Sequence, residues 1–242
     1  MIHSSLERPA TPRQQKREVM FDRIIDTAMG TLSRGGLDSL TMQGLAGELD
    51  LAVGALYRYF PGKDGIIVAV QRRIIDTLRG ELVVALERAD AQLSGLDRRQ
   101  AALLRLWVMV RVYEGMARGR PTEFGLLSMT LGDPRQLVQD EDAAQLVPSM
   151  LELFVLVGGL FTAASESGAL GAGDPARRTM VLWICVHGAL QLRKLERFAV
   201  GALQASGVLD DAVFTLLLGW GANAADTQAM KSRALQLTGK SP

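Results

Sequence analysis

Apolar side chains recur at helical spacing over nearly the whole chain, and the interruptions in that pattern divide it into elements. From about Arg13 to Ser33, Phe21, Ile24, Ile25, Ala28 and Leu32 fall on one side of a helix that Arg34-Gly35-Gly36 ends. Met42, Leu45, Ala46 and Leu49 repeat the pattern behind Thr41, whose hydroxyl can accept a bond from an unpaired first-turn N–H. Asp50 then supplies a residue type that tolerates left-handed backbone, Leu51 plugs the corner, and a second short piece carries Leu56 and Phe60 on one face. Two helices of about two turns each, joined by so short a link, must cross steeply. The spacing therefore predicts a helix-turn-helix, with the upstream helix covering Leu45, Leu49, Leu56 and Phe60 to complete a three-helix head over residues 13–62.

Pro61-Gly62 punctuates the chain, and a long connecting helix from Lys63 to about Ala91 carries Ile66, Ile67, Val70, Ile74, Leu78, Leu82 and Leu86 on one stripe. Beyond Ser94-Gly95, helices are predicted over 97–117, 121–131, 141–168, 174–200 and 209–236, the third starting there or nearer Pro148. The breaks fall at Gly119-Arg120-Pro121, Gly132-Asp133-Pro134, Gly171-Ala172-Gly173-Asp174-Pro175 and Ser206-Gly207. No Val/Ile/Thr-rich alternation suggests a sheet. The fold class is all-α: a flexible arm (1–12, with Pro9 and Pro12), the helix-turn-helix domain (13–62), and a larger helical bundle (63–242) opened by the connecting helix 63–91. Two late helices are apolar most of the way round, one through Val181–Leu192 and one through Val213–Trp220. Such helices must be covered on every side, which predicts a homodimer with Leu182, Val186, Ala189, Leu190, Phe214, Leu217 and Trp220 at its interface.

Composition and charge narrow the classes. With 242 residues and 48% hydrophobic content the chain can bury a sizeable core in one small and one larger domain. The most apolar run, Leu153 to Ala164, is too short to span a bilayer and is flanked by Glu152 and Glu166, so a buried helix and no membrane contact are expected. The N-terminal stretch lacks the apolar core of a secretory signal and Cys185 stands alone, which makes the cytoplasm the expected compartment. Net charge is only +1, so any nucleic-acid contact must come from local placement: Arg8, Arg13, Lys16 and Arg17 near the start, Arg58 and Lys63 on the motif.

Catalytic chemistry finds no foothold. Cys185 and His187 lie two apart on a helix and point in different directions, no Cys/His/acid cluster has metal-ligand spacing, and Gly54 to Asp64 has the wrong spacing for a phosphate loop. Neither an enzyme nor a cofactor or metal site is expected.

The outer side of the second short helix suits DNA. Tyr57 can donate to a phosphate, Lys63 offers a point charge, and the small Gly54 and Ala55 let a helix approach base edges. Spacing alone also allows a plain helical hairpin with tyrosines at its rim. The run from Gly35 to Val68, GGLDSLTMQGLAGELDLAVGALYRYFPGKDGIIV, resembles the DNA-binding domain of TetR-family transcriptional regulators. The matching features are the glycine loop before Thr41, Ala46, the block Leu56-Tyr57-x-Tyr59-Phe60, and Lys63 followed by an acidic residue and aliphatics; Arg17 to Leu32 fits the family's first helix. Three positions depart: Asp50 stands where the family usually has glycine, Ala52 where it often has serine, and Gln43 where many members have arginine.

The resemblance implies DNA contact by Thr41, Gln43, Val53, Gly54, Ala55, Tyr57, Arg58, Tyr59 and Lys63. It also implies a near-palindromic double-stranded operator and a dimer built from two late helices of each subunit. A small-molecule effector is implied too, with Trp107, Val110, Arg111, Glu114, Phe124, Met150, Phe154 and His187 as the candidate pocket; the same residues serve equally as core filling. The expected function is a dimeric repressor released from its operator by a small, largely apolar effector. The alternative is an all-α small-molecule binding or carrier protein whose head no longer reads DNA.

Overall fold

Thr11 starts the first helix, α1 (Pro12–Ser39): its hydroxyl accepts from the Gln14 N–H at 3.3 Å, and the Gln14 side chain accepts from the Thr11 N–H at 2.8 Å. The computed structural model describes residues 11–132, 142, 144–193 and 205–239, and every regular element among them is helical. The expected arm up to residue 10 with Arg8, the break after Gly132, and the expected helix limits at 141 and 200 lie outside the described residues.

The predicted stop at Gly35-Gly36 is a kink followed by one further turn. Gly36 takes φ 68, a left-handed value that glycine adopts freely, and a Cβ on Gly35 would lie 2.6 Å from the Ser39 Cβ. The Ser39 hydroxyl spans the kink by lying within hydrogen-bond reach of the Thr31 and Gly36 carbonyls. After it come α2 (Met42–Glu48), α3 (Val53–Leu56) and α4 (Lys63–Asp90). Ile24, Ile25, Ala28 and Leu32 of α1 are buried, as are Leu45, Leu49, Leu56 and Phe60, so the head closes as its apolar spacing requires.

The chain forms two compact units: the first is residues up to Arg73 together with Ser128–Gln145, the second Ile74–Leu127 together with Leu146 onward. The first unit thus runs past the expected boundary at 62, because α4 gives it the buried Ile66, Ile67 and Val70. The remainder of α4 belongs to the second unit.

In the second unit α5 (Arg98–Gly119) is the central element, with Leu103, Leu104, Leu106, Trp107, Val108 and Val110 buried on its several sides. It packs on α7 (Val147–Glu166), α8 (Pro175–Gln191) and α10 (Ala224–Thr238), while α9 (Ala205–Gly219) packs on α8 and α10. Between α5 and α7 lies α6 (Pro121–Gly132), and a 3-10 turn at Ala144–Leu146 leads into α7, so the start nearer Pro148 is the one realised.

Three expectations are corrected. The single helix foreseen over 209–236 is two, because Gly221 at φ 97 ends the first and Asn223 caps the second through the Asp226 N–H. No break occurs at Gly207, which lies inside α9. And α7 is not a buried helix: Val147, Leu151 and Val155 are exposed, and only 22% of its most apolar window is covered. By length and composition α7 with its preceding turn is apolar enough to cross a membrane.

Candidate nucleic-acid interface

The site is assembled from the local rules of its own short helices. Thr41 caps α2 by accepting from the Gly44 N–H at 3.0 Å. At the other end the Leu51 N–H donates to the Ala46 carbonyl at 2.9 Å and the Asp50 N–H to the Gly47 carbonyl at 3.3 Å. Those two bonds with Asp50 at φ 55 make a Schellman turn, the backbone solution that stops a helix and redirects the chain within two residues. Ala52 then begins α3 without a side-chain cap. Four residues of α3 are α-helical, and tighter bonds such as Tyr59 N–H to the Leu56 carbonyl at 2.9 Å carry the turn on to Phe60.

This winding sorts the side chains. Leu56 and Phe60 are buried, and Phe60 stacks on Phe21 of α1 with ring centroids 4.9 Å apart. Gly54, Tyr57 and Arg58 are exposed, Tyr57 at 50% of its free surface, and a Cβ on Gly54 would meet nothing within 4 Å. Val53, Ala55 and Tyr59 are half-buried, whereas Thr41 and Gln43 are exposed. Lys63 is half-buried and its ammonium donates to the Leu37 carbonyl at 2.5 Å, so it closes the end of α1 as well as bordering α3.

One tie was absent from the sequence reading. Arg34 pairs with Glu48 at 2.8 Å, and the Thr31 hydroxyl also meets Glu48 at 3.1 Å, which ties α2 to α1. Arg13, Lys16 and Arg17, the basic residues expected near the start, are exposed on the early turns of α1 and Arg23 is exposed further along it; none has an acidic partner among the described residues. The acids Asp22 and Asp26 on another side of α1 are held by Arg73 of α4. A helical wheel would have separated these two sides.

The candidate effector residues are in the second unit. Trp107 and Val110 are fully buried, and the Arg111 guanidinium lies 5.4 Å from the Trp107 ring centroid. Arg111 also pairs with Glu114 at 2.7 Å and with Asp210 at 2.6 Å, which satisfies charges that burial would otherwise penalise. Phe124 and Trp183 flank His187, whose ring nitrogens meet the Tyr113 hydroxyl at 2.7 Å and the Gln191 amide at 3.0 Å. Burial pushes His187 below its ordinary pKa and the Tyr113 phenol above its own. Phe154 reaches this cluster through Trp183, while Met150 is half-buried. An open cavity of about 640 Å³ lies elsewhere, between α4, α5 and the end of α10, and shares only Arg111 with the candidate set.

Of the expected dimer residues, Leu182, Val186, Ala189, Leu190 and Leu217 are buried within the protomer, and Phe214 and Trp220 are half-buried. The exposed apolar residues of α8 include Met180, Val181 and Ile184, with Leu192 at its C-cap.

A capped short helix, a Schellman turn and a second short helix with an open outer side define a helix-turn-helix protein with an all-helical second unit. Residues 24–70 match the family model for bacterial regulatory proteins of the tetR family. Over 51 residues the chain is 43% identical to the HTH-type transcriptional repressor KstR of Mycobacterium tuberculosis, 21% of this chain and 23% of that one. The chain spans about a quarter of the length of the KstR relatives it matches. It is also 29% identical over 214 residues, 85% of this chain and 79% of that one, to the HTH-type transcriptional regulator Rv0681 of the same organism. A solved structure from Rhodococcus sp. RHA1, a protein of unknown function, shares the fold at TM-score 0.64 and 20% identity, over 83% of this chain and 95% of that one. Residues 24–70 are thus similar to the DNA-binding domain of tetR-family regulatory proteins, and most of the chain is similar in sequence to one HTH-type transcriptional regulator.

Proposed function

We propose that the protein is a sequence-specific DNA-binding repressor that acts as a homodimer and leaves its operator when a small, largely apolar effector binds. The observation that carries the reading is the open outer side of α3, where Tyr57 and Arg58 project without a covering element. A helix entering a major groove needs such a side, with donors for phosphates and little bulk at Gly54 and Ala55. Thr41, Gln43, Val53 and Tyr59 border it, and Lys63 keeps donor capacity beyond its bond to Leu37. The likeness of this segment to KstR, named a repressor, supports repression.

Dimerisation is supported by unpartnered apolar surface rather than by the buried residues of α8 and α9. Val147, Leu151 and Val155 form one exposed stripe on α7, and Val181, Ile184 and Leu192 another on α8, which packs against α7. A second copy covering both stripes would present two heads to an inverted repeat. The effector half of the reading is supported by the cavity bordered by α4, because α4 also contributes Lys63–Arg73 to the first unit. A ligand that favours one arrangement of that helix and an operator that favours another weaken each other's binding equally.

The test is selection of bound duplexes from a random pool. Enrichment of an inverted repeat with half-sites about 34 Å apart, or a multiple of that, is the expected result. A pool that stays random would sink the reading and leave a carrier of small molecules in its place.

A further inference from the structure

The cavity between α4, α5 and α10 is held open by two residues that have no side chain. Gly80 on α4 and Gly115 on α5 border it, and a Cβ on either would meet nothing within 4 Å. Glycine weakens the interior of a long helix, and neither position needs its backbone freedom, since both lie within regular helix without positive φ. Missing bulk on two helices is what an opening of about 640 Å³ requires, a size within the range of small-molecule sites.

The walls divide by chemistry. Val84, Val112, Met116 and Leu237 supply apolar surface, and Val84 is exposed although it faces this recess. Among the charged lining residues, Glu81 is neutralised by Arg120 at 2.5 Å and is the only acid. Arg111 is paired with Glu114 and Asp210, yet its Nε–H remains buried without an acceptor. Arg88, in the last turn of α4, has no ion-pair or hydrogen-bond partner among the described residues. The cavity therefore offers an apolar wall beside one uncompensated guanidinium.

We infer that this cavity binds an amphipathic organic anion, its apolar body against Val84, Met116 and Leu237 and its acidic head at Arg88. A guanidinium is suited to a carboxylate through paired N–H donors, and the neighbouring arginines disfavour a cation. The inference deepens the effector half of the proposed function and rests on that reading only for the consequence on DNA.

Calorimetric titration of the full chain without DNA tests it, using octanoate, 1-octanol and octylamine as probes. Octanoate should bind with one site per chain, 1-octanol more weakly, and octylamine not at all. Arg88→Gln should lower octanoate affinity about tenfold and leave 1-octanol affinity unchanged. Gly115→Leu should abolish binding of both by filling the cavity, with thermal unfolding no earlier than in the parent; Gly80→Leu is the second blocking variant should the first fail to fold. Absence of saturable octanoate binding overturns the inference, as does octanoate affinity that survives a folded blocking variant. Equal affinity for octanoate and 1-octanol overturns the anionic class. Octanoate binding that obeys these variants but leaves DNA affinity unchanged supports the site and overturns its effector role.

Discussion

Asp50 holds the corner between α2 and α3 at φ 55, a conformation in which most side chains crowd the following carbonyl. A short polar side chain tolerates it and glycine adopts it freely, so Asp50→Ala should lower unfolding free energy by about 1 kcal/mol while Asp50→Gly should not lower it. Chemical denaturation of the two variants decides the point; equal loss in both would show that the side chain and not the backbone sets the corner. His187 makes a second residue-scale case. Burial holds its folded pKa below the ordinary 6.5, so as pH falls the unfolded chain takes up the proton first. The stability linked to this ring is fully present above about 6.5 and is lost as pH falls from there towards the folded pKa, at no more than about 1.4 kcal/mol per pH unit. Thermal unfolding between pH 7 and pH 5 should fall less steeply in His187→Gln than in the parent, and parallel curves would show that this histidine does not titrate differently on unfolding.

At the scale of elements, α1 shows why a nearly neutral chain can still hold an anionic partner. Its acids Asp22 and Asp26 are bound by Arg73, while Arg13, Lys16 and Arg17 occupy exposed turns N-terminal to the Phe21–Phe60 stack. A helix rises about 1.5 Å per residue, so Arg17 lies roughly 6 Å and Arg13 roughly 12 Å along α1 from the ring that touches the end of the α3 segment. Replacing Arg13, Lys16 and Arg17 by glutamine should weaken binding to all duplexes alike and flatten the salt dependence, by about 0.9 in log–log slope for each phosphate contact removed. An unchanged slope would mean that these turns do not reach DNA. Much of this architecture was legible in the chain: the Thr41 cap, the left-handed Asp50, the uncapped Ala52 and the long stripe of α4 are all local rules. The split of α9 from α10 was not, because Gly221 at φ 97 looks like any helical glycine until its tertiary neighbour is known. A Cβ there would lie 3.2 Å from the Gly171 nitrogen, and Gly171 donates to the Trp220 carbonyl at 2.8 Å.

At the scale of the whole molecule, the proposed dimer depends on which apolar faces the protomer leaves uncovered. Periodicity showed α8 to be apolar nearly all round, but Leu182, Val186 and Leu190 (steps of four) and Val181, Ile184 and Leu192 (steps of three and eight) both fall at spacings that keep a set on one side of a helix. Nothing local distinguishes a face covered by the chain's own α9 from one covered by a partner. The fold separates the two sets by exposure: the first is at most 2% exposed, whereas Ile184 is 57% exposed and Val155 on the neighbouring α7 is 73% exposed. Phe124, Trp183 and His187 fill one another's space, while the cavity opens where Gly80 and Gly115 withhold theirs. The consequence for assembly is specific. Val155→Glu with Ile184→Glu puts charge only on surface the protomer leaves open, so the variant should keep its helical circular dichroism and unfold within a few degrees of the parent. It should scatter light as a monomer at micromolar concentration and lose at least about 100-fold in operator affinity, because each head then binds a half-site alone. Leu190→Glu or Leu217→Glu should instead unfold the protomer, since burial in those positions would strip a carboxylate of solvent. A double variant that remains dimeric would move the pairing surface away from α7 and α8.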